Sequence, residues 1–364
     1  MNKKVLQVCC DGFENGGIQA VIMSIVRNLN NQFDFDAISF SDGSQYYSEE
    51  FSQYGNIYHF KRYTPNNIMT KFFKDFLEYR FLYKQSKEFF KQHPDYTAVH
   101  CHNYFNAAPI LRAAKEANIE HRIAHSHNVK SIIKTKNPLR NIANKIKSNQ
   151  IHKYATAMAA CSKAAGEYVF GQAEITVINN AIDLNKFNPL KYSYTSDGTI
   201  KFVHVGRYGY QKNQLFLLDV FKEFIKLNSN ARLNLIGFGI WTDKIEKKIK
   251  ELHLNDKVKM LPSDSNVPEI YAQSDISIYP STFEGLGISL IEAQAMGLKC
   301  YVSEAIQPEA NLGLCQVLQL SWGAKKWAEY VYNDIQKNGY EKQFVDMSSY
   351  DIKNVKEQYN QLYS

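Results

Sequence analysis

The chain has 364 residues, of which 45% are apolar and 22% are charged, and its formal net charge is +7. This length allows two domains with separate cores, and the composition is that of a soluble globular protein. No stretch reaches the roughly 18 apolar residues of a membrane span, and VLQVC near the start is too short for a signal peptide, so we expect neither. The cysteines form no C-x-x-C pair, which favours buried thiols in a reducing compartment: Cys9, Cys10, Cys101, Cys161, Cys300 and Cys315.

The positive charge is concentrated in the first half of the chain. Between His121 and Gly166 there is no acidic residue, whereas the following cations fall inside: Arg122, Lys130, Lys134, Lys136, Arg140, Lys145, Lys147, Lys153 and Lys163. The segment 71–92 mixes lysine and arginine with phenylalanine and tyrosine at helical spacing. Such a surface favours attraction to anionic lipid or to a phosphorylated substrate. A solvated basic face on an ordinary amphipathic helix is the alternative for 71–92.

Strands and helices alternate along the first half. Helical periodicity follows the loop DGFENGG, with Ile18, Ile22, Ile25 and Leu29 on one face, and APILRAAKEAN is helical as well. The predicted strands are 5–9, 35–40, 56–60, 97–102 and 120–127, followed by AMAACS and ITVINN near residue 180. This alternation is typical of parallel sheets with crossover helices.

The same pattern restarts after 185–198, a polar and turn-rich segment that we interpret as a linker. The predicted elements are strands at 199–206, 232–237, 275–280 and 299–303, and helices at 214–227 and 242–253. We therefore predict two doubly wound α/β domains, 1–185 and 186–345, and a last helix in 346–364 that packs back on the first domain. Ligands in such folds bind beyond the carboxyl ends of the strands, so we expect a central cleft that both domains face.

Cations and glycines follow two predicted strands of the second domain. Arg207 and Lys212 lie in the loop after 199–206, where two cations can clamp a diphosphate and offset the charge on a departing one. Two surface cations in a turn are the alternative. Gly237 ends the strand 232–237, and glycine permits close backbone approach there, although the spacing is not that of a dinucleotide-binding fingerprint.

The stretch STFEGLGISLIEAQAMG combines an anion-binding turn with two carboxylates. A helix is predicted to begin near Ile288, and the amides at its start are candidates for phosphate oxygens: Gly287, Ile288 and Ser289. Glu284 precedes this helix and Glu292 lies within it, and both can accept hydrogen bonds from sugar hydroxyls. The two could flank a sugar diphosphate joined to a ribose. Solvent-exposed helix glutamates are the alternative, which the spacing alone would favour.

Five segments in chain order resemble the motifs of glycosyltransferase family 4, the retaining nucleotide-sugar transferases of GT-B fold. They are NGGIQAV, RIAHSHN, VINNAIDLNKF, GRYGYQKN and EGLGISLIEAQAMG. The last is similar to the E-x7-E signature of the family, and GRYGYQKN to its donor loop. The resemblance runs from about residue 5 to about residue 340 and is closest to the branch that makes bacterial capsular and exopolysaccharides. Ala181 departs from the family pattern, which often has glycine there.

The resemblance implies a role for each matching position of the donor site. Arg207 and Lys212 would bind the donor diphosphate and stabilise the leaving nucleotide, and Glu292 would accept from the ribose hydroxyls. Glu284 would hold hydroxyls of the transferred sugar. By the resemblance, Gly17 would give its backbone N–H to the donor diphosphate. The other candidates for substrate binding are Gly16, Asn180, Gly237, Gly287, Ile288 and Ser289.

The resemblance also implies a histidine near the reacting sugar carbon, where it would orient a hydroxyl or stabilise charge. His127 is the candidate. His125 is its rival, because we expect strand alternation to turn only one of the two toward the cleft.

The family requires no bound metal, and we predict none here. The D-x-D pair Asp34 and Asp36 lies at the start of a strand, far from the expected phosphates, and we interpret it as a strand-edge pair. His100, Cys101 and His102 also offer metal-ligand types, but strand alternation turns Cys101 away from both histidines, which favours a structural role. The cations Arg207 and Lys212 would take over the electrostatic role of a metal.

The resemblance implies an enzyme that transfers a hexosyl or N-acetylhexosaminyl group from a UDP-sugar, with retention, to a saccharide acceptor. We expect a lipid-linked acceptor, a role in cell-surface polysaccharide synthesis, and no cofactor besides the donor. The expected partners include an anionic membrane surface but no nucleic acid, and the expected location is the cytoplasm at the inner face of the membrane. Two alternatives stay open: a non-catalytic partner of another glycosyltransferase, and a nucleotide-sugar epimerase of the same architecture.

Overall fold

The computed structural model describes residues 2–9, 11–41, 45–127, 129, 138–194 and 196–364. The chain divides into two compact units, the first formed by Met1–Ala181 with Ile352–Ser364 and the second by Ile182–Asp351. The boundaries expected from the sequence were 185/186 and 345/346. Within the described residues, no helix combines the length and the apolarity that crossing a bilayer requires.

The first unit contains a seven-stranded parallel sheet of order β3-β2-β1-β4-β5-β6-β7. Its strands are β1 (Lys3–Val8), β2 (Phe33–Ser39), β3 (Ile57–His59), β4 (Ala98–Cys101), β5 (His121–Ser126), β6 (Ala157–Ala160) and β7 (Thr176–Val177). Its first helices are α1 (Gly17–Leu29), α2 (Ser48–Phe51), α3 (Ile68–Phe72), α4 (Lys74–Gln92), α5 (Ala107–Glu116), α6 (Pro138–Tyr154) and α7 (Lys163–Phe170).

The second unit contains a six-stranded parallel sheet of order β10-β9-β8-β11-β12-β13. Its strands are β8 (Ile200–Val205), β9 (Ala231–Ile236), β10 (Val258–Leu261), β11 (Ile276–Tyr279), β12 (Lys299–Ser303) and β13 (Cys315–Leu318). Its helices are α8 (Gln214–Leu227), α9 (Thr242–Glu251), α10 (Val267–Ala272), α11 (Ile288–Ala295) and α12 (Gly323–Asn338). The last helix of the chain, α13 (Ile352–Tyr363), belongs to the first unit.

Both sheets are doubly wound, as predicted. The strand order reverses between β1 and β4 in the first unit and between β8 and β11 in the second. Loops that leave the carboxyl ends of strands at such a point border the usual ligand site of an open α/β sheet. All the second-unit candidates from the sequence lie in loops or helix starts that follow β8, β9 and β11.

Alternate residues of the central strands pack into cores on opposite faces of the first sheet. Val5 of β1 and Ala98 of β4 belong to one core, whereas Leu6 and Cys101 belong to the other. Helices α1 and α13 cover the first of these faces, since Ile25 of α1 and Tyr363 of α13 share that core. The prediction that Cys101 turns away from its histidine neighbours is thus confirmed.

The pair Asp34 and Asp36 lies at the start of a strand, as predicted, because β2 begins at Phe33. Asp36 is buried, forms an ion pair with Lys4 at 3.0 Å, and accepts a hydrogen bond from the Tyr96 hydroxyl at 2.6 Å. The ion pair offsets the charge of Asp36 inside the sheet. Strand β1 begins at Lys3, two residues before the predicted start.

Not all cations of the acid-free run 121–166 lie on the surface, although its composition predicted a basic surface. Lys147 is buried, donates to Asn106 Oδ1 at 2.9 Å and lies 3.8 Å from Asp75, so it is part of the packing between helices. Arg122 donates to the Tyr154 carbonyl at 2.7 Å. The run does expose Arg140, Lys145, Lys153 and Lys163. The predicted cations Lys130, Lys134 and Lys136 lie outside the described residues.

The cysteines that the structure describes are buried thiols, as predicted: Cys9, Cys101, Cys161, Cys300 and Cys315. Cys10 lies outside the described residues. Short 3₁₀ turns complete the fold at Tyr104–Asn106, Pro189–Lys191, Pro308–Ala310, Leu320–Trp322 and Ser348–Tyr350.

Candidate active site

The loop between β8 and α8 carries Arg207 and Lys212 at the carboxyl edge of the second sheet. Its shape is held by Gln214, a buried residue at the start of α8. The Gln214 amide donates to the Arg207 carbonyl oxygen at 3.1 Å and accepts from the Gly209 amide at 3.1 Å. Asn213 donates from its side chain to the Pro280 carbonyl oxygen at 3.1 Å, which ties the loop to the end of β11. Arg207 is exposed and Lys212 is half-buried.

Gly237 lies where the ends of β8 and β9 approach each other. A Cβ atom at this position would lie 2.2 Å from the Gly206 carbonyl oxygen, and the Gly237 φ of +146° is one that other residues rarely adopt. Only glycine therefore fits. The observed contact of Gly237 supports the loop of Arg207 and Lys212 from behind.

Lys212 and Glu284 form an ion pair, with 2.7 Å between Nζ and Oε1. The Glu284 side chain is only 6% exposed and that of Lys212 is 14% exposed, so solvent screens the pair weakly. Ser281 donates its hydroxyl to Glu284 Oε1 at 2.8 Å, and the Gln211 amide donates to Glu284 Oε2 at 3.3 Å. One carboxylate is thus held by three donors from two loops.

Helix α11 begins at Ile288, as predicted, after Gly287 with φ +85°. The Ile288 and Ser289 amides have no acceptor within the helix by geometry, whereas the Leu290 amide donates to the Gly287 carbonyl oxygen at 2.9 Å. The first turn carries no acidic residue. The Ser289 carbonyl oxygen lies 2.8 Å from the Tyr271 hydroxyl and 2.9 Å from that of Tyr279. These buried tyrosines fix the turn from which the amides of Gly287, Ile288 and Ser289 point, an arrangement suited to an anion.

Glu292 lies in the second turn of α11 and is half-buried. Desolvation raises the pKa of its carboxyl group to about 7, against the opposing fields of Lys186 and Lys212. This carboxyl group therefore titrates near neutral pH. The second unit thus brings together two cations, a helix N-terminus and two carboxyl groups along one sheet edge, the groups needed for a sugar diphosphate.

The first unit holds the remaining candidates. Gly16 is the residue before α1 and Gly17 is the exposed first residue of this helix, whose first turn has no acidic residue. The Gly16 carbonyl oxygen already accepts from Ala20. The amide of Gly17 belongs to the helix N-terminus and can meet an anion.

His125 and His127 lie on the same side of the sheet, so strand alternation does not turn one of them away, contrary to the reason given for choosing between them. Residues two positions apart in a strand share a face, and the two rings stack with 4.0 Å between their centroids. His127 differs in lying beyond the end of β5, close to Asn180. Among the described residues, His127 Nδ1 and Asn180 Oδ1 are both buried without a hydrogen-bond partner.

His100 and His102 pack against this pair to form a buried cluster of four imidazoles. Their ring centroids are 4.0 Å apart. The ring planes of His100 and His125 are nearly parallel, at 6° with 5.2 Å between centroids, and those of His102 and His127 are inclined by 21° with 5.0 Å between centroids. Desolvation lowers the pKa of His127 to about 4, against an opposing effect of the Asn180 side chain. Burial also lowers the pKa of the other three well below the usual value, so all four are neutral at pH 7.

The cluster has the ligand types of a metal site, since ring nitrogens of His100, His102 and His125 lie within 4.8 Å of one another. Its closest nitrogen pairs, however, are hydrogen-bonded: His100 Nε2 to His125 Nδ1 at 3.1 Å and His102 Nδ1 to His127 Nε2 at 2.8 Å. Two nitrogens on one tetrahedral zinc ion would be about 3.4 Å apart. The geometry therefore fits hydrogen bonds better than a shared ion.

Several of these side chains were missed from the sequence. Gln214, Tyr271, Tyr279 and Ser281 carry no motif, and only the polar Gln214 at the start of an apolar helix offered a signal. Gln7, whose side-chain oxygen lies 2.9 Å from His102 Nε2, was missed as well. Its position in the middle of the apolar strand VLQVC indicates a buried polar partner.

Each unit is an α/β fold with a parallel sheet, and the second unit has a site suited to a diphosphate. This combination defines the GT-B class of fold. The structure aligns with that of HepE from Anabaena in complex with UDP and glucose, at a TM-score of 0.77 and 17% identity, over 99% of each chain. A second HepE structure, with UDP-glucose, aligns at a TM-score of 0.75.

The family models assign the chain by sequence. The model described as Glycosyltransferase Family 4 matches residues 15–186, and that described as Glycosyl transferases group 1 matches residues 191–309. The chain belongs to glycosyltransferase family 4 and is a glycosyltransferase.

Individual relatives cover much of the chain. EpsF of Bacillus subtilis (strain 168), named as a glycosyltransferase, is 28% identical over 90% of this chain and 87% of its own. The capsular polysaccharide biosynthesis glycosyltransferase CapH of Staphylococcus aureus is 27% identical over 76% of this chain and 75% of its own. An Escherichia coli UDP-Gal:alpha-D-GlcNAc-diphosphoundecaprenol alpha-1,3-galactosyltransferase is 29% identical, over 36% of each chain.

Proposed function

We propose that the protein transfers a hexosyl or N-acetylhexosaminyl group from a UDP-sugar, with retention, to a lipid-linked saccharide in the synthesis of a cell-surface polysaccharide. The observation that carries this proposal is the Lys212–Glu284 ion pair beside the N-terminus of α11. In this pair a cation contacts a carboxylate that can accept hydrogen bonds from hydroxyl groups. A sugar diphosphate likewise has its anionic part next to its hydroxylated part. The UDP and UDP-glucose bound to HepE support a UDP-sugar donor. The name of CapH supports a role in polysaccharide synthesis, and that of the E. coli galactosyltransferase supports a lipid-linked acceptor.

The second unit would hold the donor. Lys212 and exposed Arg207 offset the charge of the diphosphate, whose oxygens also accept from the first-turn amides of α11. Glu292 accepts hydrogen bonds from the ribose hydroxyls, and Glu284, held in place by Lys212 and Ser281, accepts from hydroxyls of the sugar. No metal or cofactor takes part in this scheme.

The transfer step exchanges one bond at the anomeric carbon. The bond from this carbon to the diphosphate oxygen breaks, and its electron pair leaves with UDP, whose growing charge Arg207 and Lys212 stabilise. The acceptor oxygen forms the new bond on the same face of the sugar, and its proton passes to the departing diphosphate. His127, Gly16 and Gly17 belong to the first unit. The resemblance assigns His127 a hydrogen bond from a donor-sugar hydroxyl, and assigns Gly17, next to Gly16, to the diphosphate.

The acceptor saccharide would enter a pocket of about 130 Å³ in the first unit. Asn103 lines this pocket and is 5% exposed, and among the described residues neither of its side-chain polar atoms has a hydrogen-bond partner. Asp11 and Glu78 line it as well. Arg62 also lines the pocket and donates to Asp11 Oδ1 at 2.7 Å. Amides and carboxylates are suited to sugar hydroxyls.

A membrane-facing surface on the same unit would bring the lipid carrier within reach. Around α3, Ile68 is 90% exposed and Met69 69% exposed, with Phe72 and Phe73 beside them. Lys71 and Lys74 are exposed in the same segment. Apolar side chains between lysines are typical of segments that bind the interface of an anionic bilayer.

The decisive experiment measures UDP release by the full chain with a panel of UDP-hexoses and UDP-N-acetylhexosamines, each paired with a lipid-diphosphate saccharide. We expect release with at least one pair, an α-linked product from an α-linked donor, and strong loss in Glu284→Gln but not in the surface control Glu329→Gln. Release with no pair would refute the proposal. Conversion of a donor without acceptor would indicate an epimerase, and absence of UDP binding a non-catalytic partner.

A further inference from the structure

Six buried side chains of the first unit form one unbroken hydrogen-bonded series, which we call the histidine relay: Gln7, His100, His102, His125, His127 and Tyr363. In its first half, His127 Nε2 lies 2.8 Å from His102 Nδ1, and His102 Nε2 lies 2.9 Å from Gln7 Oε1. The exposed fraction of these three side chains is 5% or less. Water therefore does not compete for their hydrogen bonds.

The second half of the relay starts at the other end of the Gln7 amide. Gln7 Nε2 lies 3.0 Å from the Tyr363 hydroxyl, which lies 2.6 Å from His100 Nδ1. His100 Nε2 then lies 3.1 Å from His125 Nδ1. Among the described residues the two terminal nitrogens, His127 Nδ1 and His125 Nε2, have no hydrogen-bond partner.

A neutral imidazole has one N–H group and one lone pair, so each ring in the relay must accept on one side and donate on the other. The Gln7 amide likewise donates at its nitrogen and accepts at its oxygen. If the Tyr363 hydroxyl also accepts once and donates once, two arrangements satisfy every link, and they differ in the orientation of the Gln7 amide. In one, His127 Nδ1 carries a lone pair, and in the other it carries a proton.

The distances at Tyr363 select the first arrangement. A separation of 3.0 Å from Gln7 is typical of an N–H donor, whereas 2.6 Å from His100 is typical of an O–H donor. Gln7 therefore donates to Tyr363, and Tyr363 donates to His100. The Gln7 oxygen accordingly accepts from His102 Nε2, and His102 Nδ1 accepts from the N–H of His127 Nε2.

We propose that Gln7, His102 and Tyr363 are positioning residues that hold His127 in the tautomer with its lone pair on Nδ1. This proposal rests on the proposed role of His127 in the function above. With that lone pair, His127 accepts a hydrogen bond from a sugar hydroxyl and does not donate one. Asn180 Oδ1, buried beside His127 without a partner among the described residues, offers a second acceptor to the same ligand.

Tyr363→Phe tests the relay with the loss of a single oxygen atom, and α13 provides a matched control. Tyr359 lies four residues earlier, is equally buried, and has its ring centroid 6.1 Å from that of His100 and 6.2 Å from that of His125. Its hydroxyl has no hydrogen-bond partner among the described residues. Tyr359→Phe should therefore remove an equivalent atom without touching the relay.

The readout is the ¹⁵N NMR spectrum of the histidine rings in the full chain without substrate, in which protonated and lone-pair nitrogens have distinct shifts. We expect a protonated Nε2 and a lone pair on Nδ1 for His127, unchanged by Tyr359→Phe. Tyr363→Phe should give a mixture of the two tautomers, with kcat lowered about tenfold and the donor KM unchanged. Gln7→Leu should act in the same direction.

An unchanged His127 pattern in Tyr363→Phe would overturn the proposal. So would shifts of the His100 and His125 signals on adding Zn²⁺ alone, because those nitrogens would then be metal ligands. If the wild-type chain transfers no sugar at all, the proposed function fails, but the NMR comparison still decides whether the relay sets the tautomer.

Discussion

Lys212 Nζ contacts Glu284 Oε1 at 2.7 Å, so the cation assigned to the diphosphate and the carboxylate assigned to the sugar form one ion pair. Neither charge is well placed without the other. Lys212 neutralises a carboxylate that is almost fully buried, and Glu284 holds the lysine head close to the N-terminus of α11. The pair thus couples recognition of the sugar to stabilisation of the leaving group.

Lys212→Met should lower kcat/KM about 10²–10³-fold, as expected when one stabilising donor is removed from a developing charge. It should also lower the free energy of unfolding by about 3 kcal/mol, because Glu284 stays buried and unpaired. Steady-state kinetics and urea unfolding measure the two effects. The exposed pair of Lys325 and Glu329, 3.9 Å apart, supplies the control, since Lys325→Met should change neither quantity.

Adding Glu284→Gln to Lys212→Met separates stability from catalysis. The double variant removes the unpaired charge, so most of the lost stability should return while activity stays low. Recovery of activity together with stability would show that the ion pair serves only the fold.

Glu292 should make UDP binding depend on pH near neutrality. Ribose hydroxyls donate to the ionised carboxylate, while a pKa of about 7 leaves this group largely protonated below that pH. Affinity should therefore fall as pH drops through about 7, by up to about tenfold per pH unit. Calorimetry with wild type and Glu292→Gln measures this, because the titration of UDP itself is common to both. Parallel pH profiles would contradict the assignment of Glu292.

Gly237→Ala should weaken UDP binding about tenfold by displacing the loop of Arg207 and Lys212. Its new methyl group would lie 2.2 Å from the Gly206 carbonyl oxygen, so the backbone must move. Gly209 lies in that same loop, and a Cβ there would meet nothing within 4 Å. Equal UDP affinity in Gly237→Ala and the control Gly209→Ala would argue against the close approach.

The first unit should lose stability as pH falls from about 6.5 toward about 4. Its four buried histidines have lowered pKa values, so over this range the unfolded chain binds protons that the folded unit does not. Each histidine can contribute about 1.4 kcal/mol per pH unit. His125→Asn should reduce this slope by about one proton, whereas exposed His253→Asn should leave it unchanged.

Spectroscopy can assign this loss to the right unit. The tryptophans Trp241, Trp322 and Trp327 all belong to the second unit, whereas circular dichroism reports both. An acid-sensitive circular dichroism transition without a matching shift in tryptophan fluorescence is the expected result. His204 of the second unit, whose pKa burial lowers to about 4, should add a smaller dependence there.

Vesicles containing phosphatidylglycerol should sediment the protein at low salt and release it at high salt. Ile68→Ser with Phe72→Ser should weaken this binding several-fold, because both side chains are exposed apolar groups of the α3 surface. Leu190→Ser is the matched control, since Leu190 is 84% exposed on the second unit. Equal binding of all variants would remove the membrane surface from the proposal.

The periodicity of the sequence was enough to predict most of the fold. The helix at 214–227 and the strand at 299–303 were predicted with the bounds of α8 and β12, because the apolar pattern in each stops at polar or turn residues. The helix predicted at 71–92 is instead interrupted at Phe73 between α3 and α4. Its regular spacing of aromatic residues gave no sign of the break.

The individual candidate residues followed from motifs, but their pairings did not. Contact between Lys212 and Glu284 depends on how the turn before α11 returns toward the loop after β8, which no local pattern encodes. The histidines could have been placed on one face by the two-residue repeat of strands. Their partners Gln7 and Tyr363 could not, because they depend on β1 lying beside β4 and on α13 covering that face.

The hydrogen bond between Gln7 and Tyr363 joins residues 356 positions apart, with the whole second unit encoded between them. On the ribosome, the sheet of the first unit is complete on the order of ten to thirty seconds before the helix that covers it is made. During that interval Ile25 and its core neighbours lack the packing of Tyr359 and Tyr363, and the four histidines remain open to water and protons. The nascent first unit is therefore a natural client for a chaperone, and it acquires its buried histidine site only after α13 has been made.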